Sequence, residues 1–163
     1  MLLALAAVAS AAPVPTGPPN VPSNRPAFPQ QARAPEVRTR TPFLVTEVAS
    51  GLRLPWAVAF LPDGRFLVTE KHVGQLRIVT STGGKSRPVA GLPRVDGRNQ
   101  GGLMDVELAP DFARSRMIYW SYYEPRRGGN GLAVARGRLD LETPKVEGVQ
   151  VIFRMQPTLE STM

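Results

Sequence analysis

The sequence predicts an all-β fold, and three observations support that prediction. From Phe43 to Met155 the apolar residues form short, often β-branched runs, and no run has the 3.6-residue period of an amphipathic helix. The 163 residues include 17 prolines and 15 glycines, which disfavour long helices and favour turns. A strand–turn–strand pattern also occurs twice, with an offset of 48 residues between Val58 and Val106.

The composition excludes several classes of protein. The net charge is +7, but the basic residues are scattered and never form a run of five, so nucleic-acid binding is not expected. The chain has no cysteine, which excludes disulfides and thiolate metal sites. The fold must therefore be stabilised by packing and hydrogen bonding.

Residues 1–12, MLLALAAVASAA, have the pattern of a signal-peptide leader. The apolar run ends in small residues, and Ala9-Ser10-Ala11 matches the A-x-A cleavage pattern, although no basic residue precedes Leu2. The run is shorter than the roughly 20 residues that span a bilayer. We therefore predict a periplasmic or secreted protein without a stable membrane span.

Residues 13–42 predict a linker. Nine of these thirty positions are proline, and few carry apolar bulk. Such a segment buries too little surface to offset the entropy of ordering it. We expect a disordered, Pro-rich linker at 13–42 and a folded domain at 43–163.

The folded domain is predicted to contain eight strands, each bounded by turn residues. Asp63-Gly64 is a strong hairpin signal between two of them. The predicted strands are 43–50, 56–62, 65–70, 75–80, 103–109, 116–124, 131–140 and a last one that ends at Met155.

The internal repeat predicts a β-propeller. The segment 57–63 aligns with 105–111, and both copies end in Pro-Asp and lead into a second strand. Four short strands recurring every ~40–50 residues is the period of a propeller blade. About two blades fit in this chain, whereas propellers close with about four to eight. We therefore expect an N-terminal fragment of a propeller, or a chain that needs partners to close the ring.

A glycine-rich stretch, 97–106, lies between the two copies and carries the candidate site. Gln100 can both donate and accept hydrogen bonds to a polar ligand, and the glycine pair 101–102 allows the backbone to approach that ligand closely. The alternative is a turn between blades that binds nothing.

Several strings together resemble the glucose/sorbosone dehydrogenase family, which includes the soluble aldose sugar dehydrogenases. They are GLRLPWAVAFLPDGRFLVTEK, GQLRIV, NQGGLMDVELAPDF and AVARGRLD, and the resemblance covers Phe43 to Pro157. It implies a six-bladed β-propeller of which about the first two blades are present. It also implies pyrroloquinoline quinone (PQQ) and calcium as cofactors, and oxidation of an aldose to its lactone with transfer of electrons to an acceptor. The family's Gln-Gly-Gly-Leu motif contacts the quinone, so Gln100 is the predicted cofactor-binding residue.

The resemblance assigns no catalytic or metal-binding residue to this chain. In the family, a catalytic histidine follows the segment that resembles VIFRMQPTLES, and further cofactor and calcium ligands come later. His72, the only histidine, lies in a predicted hairpin loop and does not match that position. We expect the chain alone to be inactive. Trp56, Asp105 and Asp111 are expected to be structural, as core anchor, strand residue and turn former.

Two other functions are compatible with the residues. A secreted propeller could be a non-catalytic module that binds a protein or glycan, because one fold serves many functions. A metal-dependent lactonase would need carboxylate and asparagine ligands that converge on the channel, and Glu70 and Asp105 alone do not establish such a set.

Overall fold

The computed structural model describes residues 21–25, 27–28 and 40–160. The chain divides into two compact units, Met1–Val45 and Thr46–Met163. Within the described residues there are seven strands and one turn of helix, all in the second unit. They are β1 (Pro55–Phe60), β2 (Phe66–Glu70), β3 (Gln75–Val79), β4 (Leu103–Leu108), α1 (Phe112–Ser115), β5 (Met117–Arg126), β6 (Gly129–Asp140) and β7 (Lys145–Arg154). The predicted all-β class is confirmed.

The first unit contains a short turn at 21–25, in which the Asn24 amide donates to the Val21 carbonyl at 3.1 Å. The predicted leader, 1–12, lies outside the described residues, as does most of the predicted linker, 13–42. Both therefore stay predictions. No helix in the described ranges is long and apolar enough to cross a membrane.

The strand predicted at 43–50 is absent from the described structure, so this prediction was wrong. Its alternating sequence has no neighbouring strand to pair with, and Phe43 and Leu44 are 83% and 89% exposed. Strand preference largely reflects packing against neighbours, so an alternating pattern alone does not form a strand. The other seven predicted strands are present.

The seven strands form two antiparallel sheets in sequence order. Sheet 1 has the order β1-β2-β3, and sheet 2 has the order β4-β5-β6-β7. The predicted hairpin lies between β1 and β2, where Gly64 has a φ of 83° and donates its amide hydrogen to the Leu61 carbonyl at 3.0 Å. A left-handed φ is readily adopted by glycine, which explains Asp-Gly at this turn.

The 48-residue repeat is visible in the strand pairing. The register of β1 against β2 shifts between Pro55 and Val58, and the register of β4 against β5 shifts between Leu103 and Val106. Both shifts occur at the start of the first strand of a sheet and are 48 positions apart. The first two strands of each sheet therefore follow one pattern, including the position of the irregularity.

Residues 85–90 occupy the position next to β3 where sheet 1 would have a fourth strand. The Ser86 and Val89 amides donate to the carbonyls of Ile78 and Leu76 at 2.9 and 2.8 Å. Pro88 lacks an amide hydrogen, so a regular ladder cannot continue through this segment. At its end, Ala90 pairs with the start of β7: its amide donates to Pro144 at 3.0 Å, and its carbonyl accepts from Val146 at 2.8 Å.

One apolar core joins the two sheets. Sheet 1 contributes side chains from alternate positions of its strands, and sheet 2 contributes the large aromatic side chains of β5. The fully or almost fully buried members include Leu67, Leu76, Ile78, Val106, Ile118, Trp120, Tyr122 and Leu139. Burial of such side chains contributes about 1.5–3 kcal/mol each, so this shared core stabilises both sheets.

Candidate functional site

The loop that carries Gln100, residues 96–102, enters β4 and is closed by one residue of β5. We call it the Gln100 loop. The Asp96 amide donates to the Tyr123 carbonyl at 2.8 Å, and the Tyr123 amide donates to the Gly102 carbonyl at 3.0 Å. Both ends of the loop are therefore fixed to the same point of sheet 2.

Gln100 lies near the tip of this loop with its side chain exposed. A turn precedes it, in which the Gly101 amide donates to the Arg98 carbonyl at 2.8 Å and Asn99 has a left-handed φ of 51°. The Gln100 side chain has no hydrogen-bond partner among the described residues. Its amide is free to donate to and accept from a ligand.

Two glycines of the loop, Gly97 and Gly102, pack against the turn between β2 and β3. A Cβ atom on Gly97 would overlap the carbonyl oxygen of His72, and one on Gly102 would lie 2.5 Å from Cγ of Lys71. The Lys71 carbonyl also accepts the Leu103 amide at 2.9 Å. The sequence predicted that the glycine pair would allow the backbone to approach a ligand, whereas Gly102, like Gly97, closely approaches the turn between β2 and β3.

Asp96 carries the largest set of polar contacts in the loop. Its carboxylate accepts from the Arg98 backbone amide at 3.1 Å and from Nε and Nη2 of Arg98 at 2.8 and 2.6 Å. It also accepts from Nδ2 of Asn130 in β6 at 3.1 Å. The Arg98 guanidinium, assisted by Asn130, holds the pKa of this buried carboxyl well below its usual range. Asp96 is therefore ionised and fully hydrogen-bonded.

Trp56 is not the core anchor that the sequence predicted. Its side chain is 54% exposed, and Nζ of Lys71 lies 3.8 Å from the centroid of its ring. Lys71 is itself buried, with its aliphatic part beneath Gly102. A cation over an indole ring is an attractive contact, so Trp56 covers the lysine that supports the loop.

The other residues considered from the sequence have local roles. Asp105 is exposed and accepts a hydrogen bond from the Val106 amide at 3.1 Å. Asp111 begins α1 and accepts from the Ser115 hydroxyl at 2.9 Å, which confirms it as a turn former. His72 is exposed in the turn between β2 and β3.

The described residues contain no group of three or more histidine, cysteine, aspartate or glutamate side chains that could hold a metal ion. Glu70 is buried, and its carboxylate accepts from the Arg53 amide at 2.5 Å and from Nε of Arg77 at 2.8 Å. Glu70 is thus satisfied by the protein, and neither it nor Asp105 belongs to a ligand set in this part of the chain.

Sequence reasoning missed Asp96, Asn130 and Tyr123. Asp96 had a usable signal, because Asp-Gly-Arg occurs twice, at 63–65 and 96–98. Asn130 and Tyr123 had none, since they lie about 30 positions away and meet the loop only because β5 pairs with β4 and β6 pairs with β5.

The repeated antiparallel sheets and the closed loop define a repeat-built all-β protein with a polar loop between its sheets. The model of the family described as Glucose / Sorbosone dehydrogenase matches residues 52–163. The chain belongs to the glucose/sorbosone dehydrogenase family.

Three relatives illustrate the similarity. The aldose sugar dehydrogenase YliI of Escherichia coli is 44% identical over 108 residues, which cover 66% of this chain and 29% of that protein. A crystal structure of the soluble aldose sugar dehydrogenase from Escherichia coli in the apo-form superposes with a TM-score of 0.65 at 45% identity, covering 69% of this chain and 33% of that one. The PQQ-bound aldose sugar dehydrogenase of Streptomyces coelicolor has a TM-score of 0.61 at 28% identity, covering 71% and 34%. The chain thus spans about a third of the length of these relatives.

Proposed function

We propose that this chain forms part of a PQQ-dependent aldose sugar dehydrogenase, which oxidises an aldose to its lactone. The observation that carries the proposal is the free, exposed amide of Gln100 on a loop with both ends fixed. Family membership and the similarity to a PQQ-bound aldose sugar dehydrogenase support it. In this proposal the two sheets are the first two blades of a six-bladed propeller.

The residues of the Gln100 loop fit part of a quinone site. PQQ carries carbonyl and carboxylate oxygens, and the NH₂ group of Gln100 can donate to either kind. When bound, the quinone accepts the hydride that leaves the sugar. The role of Gln100 is to bind and orient. The described residues do not supply a ligand set for calcium, so we assign none of them to holding it.

Three further features belong to the same proposal. His72 lies in an exposed turn, and we do not assign it as the base that removes the sugar hydroxyl proton. Because no other residue here is assigned as that base, we expect no dehydrogenase activity from these 163 residues alone. The electron acceptor is a separate molecule. The leader at 1–12 favours a periplasmic or secreted location.

The proposal is tested by titrating PQQ into the protein expressed from its complete gene, at fixed calcium, and following tryptophan fluorescence. Gln100→Ala should raise the Kd for PQQ about tenfold, the equivalent of about 1.4 kcal/mol, because one hydrogen-bonding group is lost. Gln150→Ala is the matched control. Its side-chain oxygen accepts from Nε and Nη2 of Arg136 on the neighbouring strand. This variant should leave the Kd unchanged.

Aldose oxidation is measured in parallel with PQQ, calcium and a dye acceptor. Turnover by the complete gene product and none by the 163-residue chain is the expected result. Turnover by the 163-residue chain would show that the base is among these residues. A complete gene product that neither binds PQQ nor oxidises aldoses would favour the non-catalytic binding module.

A further inference from the structure

The two Asp-Gly-Arg tripeptides make the same local hydrogen bonds. In the first, the Asp63 carboxylate accepts from the Arg65 amide at 3.1 Å and from Nε and Nη2 of Arg65 at 3.0 and 2.7 Å. In the second, Asp96 accepts from the same three groups of Arg98 at 3.1, 2.8 and 2.6 Å. The local turn chemistry is therefore common to both, and it does not explain why one of the carboxylates is buried.

Burial and one long-range contact distinguish the two. The Asp63 side chain is 42% exposed, whereas that of Asp96 is 4% exposed. Only Asp96 accepts an additional hydrogen bond, from Nδ2 of buried Asn130, which is 34 positions away in β6. A buried carboxylate is unfavourable unless it is paired and hydrogen-bonded, so the geometry around Asp96 is strongly constrained.

This contact adds a third attachment point to the Gln100 loop. The two backbone hydrogen bonds to Tyr123 close the ends of the loop on β5. The Asp96–Asn130 contact ties the loop to β6, and Arg98 leads directly into the turn before Gln100. Three attachments on two adjacent strands restrict both the position and the tilt of the loop tip.

We propose that Asp96 and Asn130 are positioning residues that hold the Gln100 loop in its ligand-binding orientation before the ligand arrives. The inference rests on the proposed function for the identity of the ligand, but the ordering of the loop can be tested without it. A loop that is already ordered loses less conformational entropy on binding, so the pair increases affinity without touching the ligand.

The test uses amide hydrogen exchange and PQQ titration on the protein expressed from its complete gene. Asn130→Ala removes the tie to β6 and leaves the Asp96–Arg98 contacts in place. We expect exchange at 97–102 to accelerate about tenfold while the amides of β4 and β5 keep their protection. The Kd for PQQ should rise about fivefold to tenfold, with kcat at saturating PQQ unchanged.

A second variant covers the case in which Asn130→Ala fails to fold. Arg98 is 65% exposed, so Arg98→Ala leaves no cavity in the core. The substitution removes the guanidinium group that pairs with Asp96, so it should also accelerate exchange at 97–102. Asp63→Asn is the matched control, because it alters the same turn chemistry at the far end of the β1–β2 hairpin. It should leave both the loop exchange and the Kd unchanged.

The possible outcomes separate the two hypotheses. Unchanged exchange at 97–102 in both Asn130→Ala and Arg98→Ala overturns the positioning role, whatever the ligand is. Faster loop exchange in a protein that does not bind PQQ supports the positioning role and counts against the proposed function. Faster exchange throughout sheet 2 would show that the contact between Asp96 and Asn130 stabilises the whole sheet and does not position the loop specifically. That result would also overturn the inference.

Discussion

The hydroxyl group of Thr69 in β2 donates a hydrogen bond to the carbonyl oxygen of Met104 in β4 at 2.8 Å, and this bond connects the two sheets. The hydroxyl oxygen of Thr69 also accepts a hydrogen bond from the Ala57 amide of β1 at 3.0 Å. Thr69 is fully buried. One side chain therefore satisfies a backbone group in each sheet, at the point where the register of β1 and of β4 is irregular.

Replacing Thr69 with valine should destabilise the folded chain. The substitution keeps the shape but removes the hydrogen bonds that the hydroxyl group makes to a partly buried amide and a partly buried carbonyl, which lowers the free energy of unfolding by about 1–3 kcal/mol. Urea unfolding of the 163-residue chain measures it. Thr46→Val, at an exposed position, is the control, and an equal loss in both variants would contradict the bridging role.

Replacing Glu70 with glutamine should also destabilise the fold. The buried Glu70 carboxylate accepts from Nε of Arg77 at 2.8 Å, and loss of its charge weakens a hydrogen bond of the kind that contributes about 1.5–3 kcal/mol. Glu147→Gln removes the exposed ion pair with Lys145 and should change the free energy of unfolding by less than about 1 kcal/mol. Chemical denaturation measures the free energy of unfolding of both variants. Equal losses in Glu70→Gln and Glu147→Gln would refute the role assigned to Glu70.

Adding a methyl group at Gly97 should affect both stability and the site. Alanine there overlaps the His72 carbonyl, so the Gln100 loop must shift, at a cost of about 1–3 kcal/mol. We expect weaker PQQ binding as well. Gly148→Ala has open space but a φ of 60°, so it should lower stability by about 1–2 kcal/mol and leave PQQ affinity unchanged. Identical Kd values for both variants would contradict the packing described for the loop.

The ion pairs of Glu124 should make the folded chain less stable as the pH becomes acidic. Its carboxylate lies within 2.9 Å of Nε of Arg154 and 3.0 Å of Nε of Arg126, and these guanidinium groups lower its pKa. A carboxyl whose pKa is lower in the folded state stabilises the fold above its unfolded pKa of about 4.3, and this contribution is lost as pH falls through the folded pKa.

The variant Glu124→Gln tests this pH dependence because it removes the titrating carboxyl group. It should show a shallower loss of stability than the unsubstituted chain as pH decreases below about 5, measured by urea unfolding at a series of pH values. Glu107→Gln removes an exposed carboxylate that has no ion-pair partner in the described ranges, and it is the control. If Glu124→Gln and the unsubstituted chain lost stability in parallel, the ion pairs would have no energetic role.

The strands and their repeat could be predicted from the sequence because both depend on local patterns. Alternation marks the half-buried strands, and Asp63-Gly64 marks the hairpin between two of them. The offset from Val58 to Val106 reappears as the same register shift in both sheets. These features need no knowledge of distant partners.

The segments that were misjudged depend on long-range neighbours. Residues 43–50 have the alternation of a strand but no strand beside them in the described structure. Trp56 is apolar enough for a core, yet it lies over the ammonium group of Lys71. At the candidate site, the motif around Gln100 was visible, whereas the contact between Asp96 and Asn130 spans 34 positions and has no sequence pattern.

Residues 85–90 have a consequence for aggregation. Exposed edge strands present unpaired amides and carbonyls to which another chain can add a strand. The segment lies along the outer edge of β3, and its last residue, Ala90, pairs with the beginning of β7, the outer strand of sheet 2. Because Pro88 interrupts it, the segment covers these edge groups without becoming a regular strand that would itself offer a new edge. It therefore shields parts of both sheets from intermolecular strand pairing.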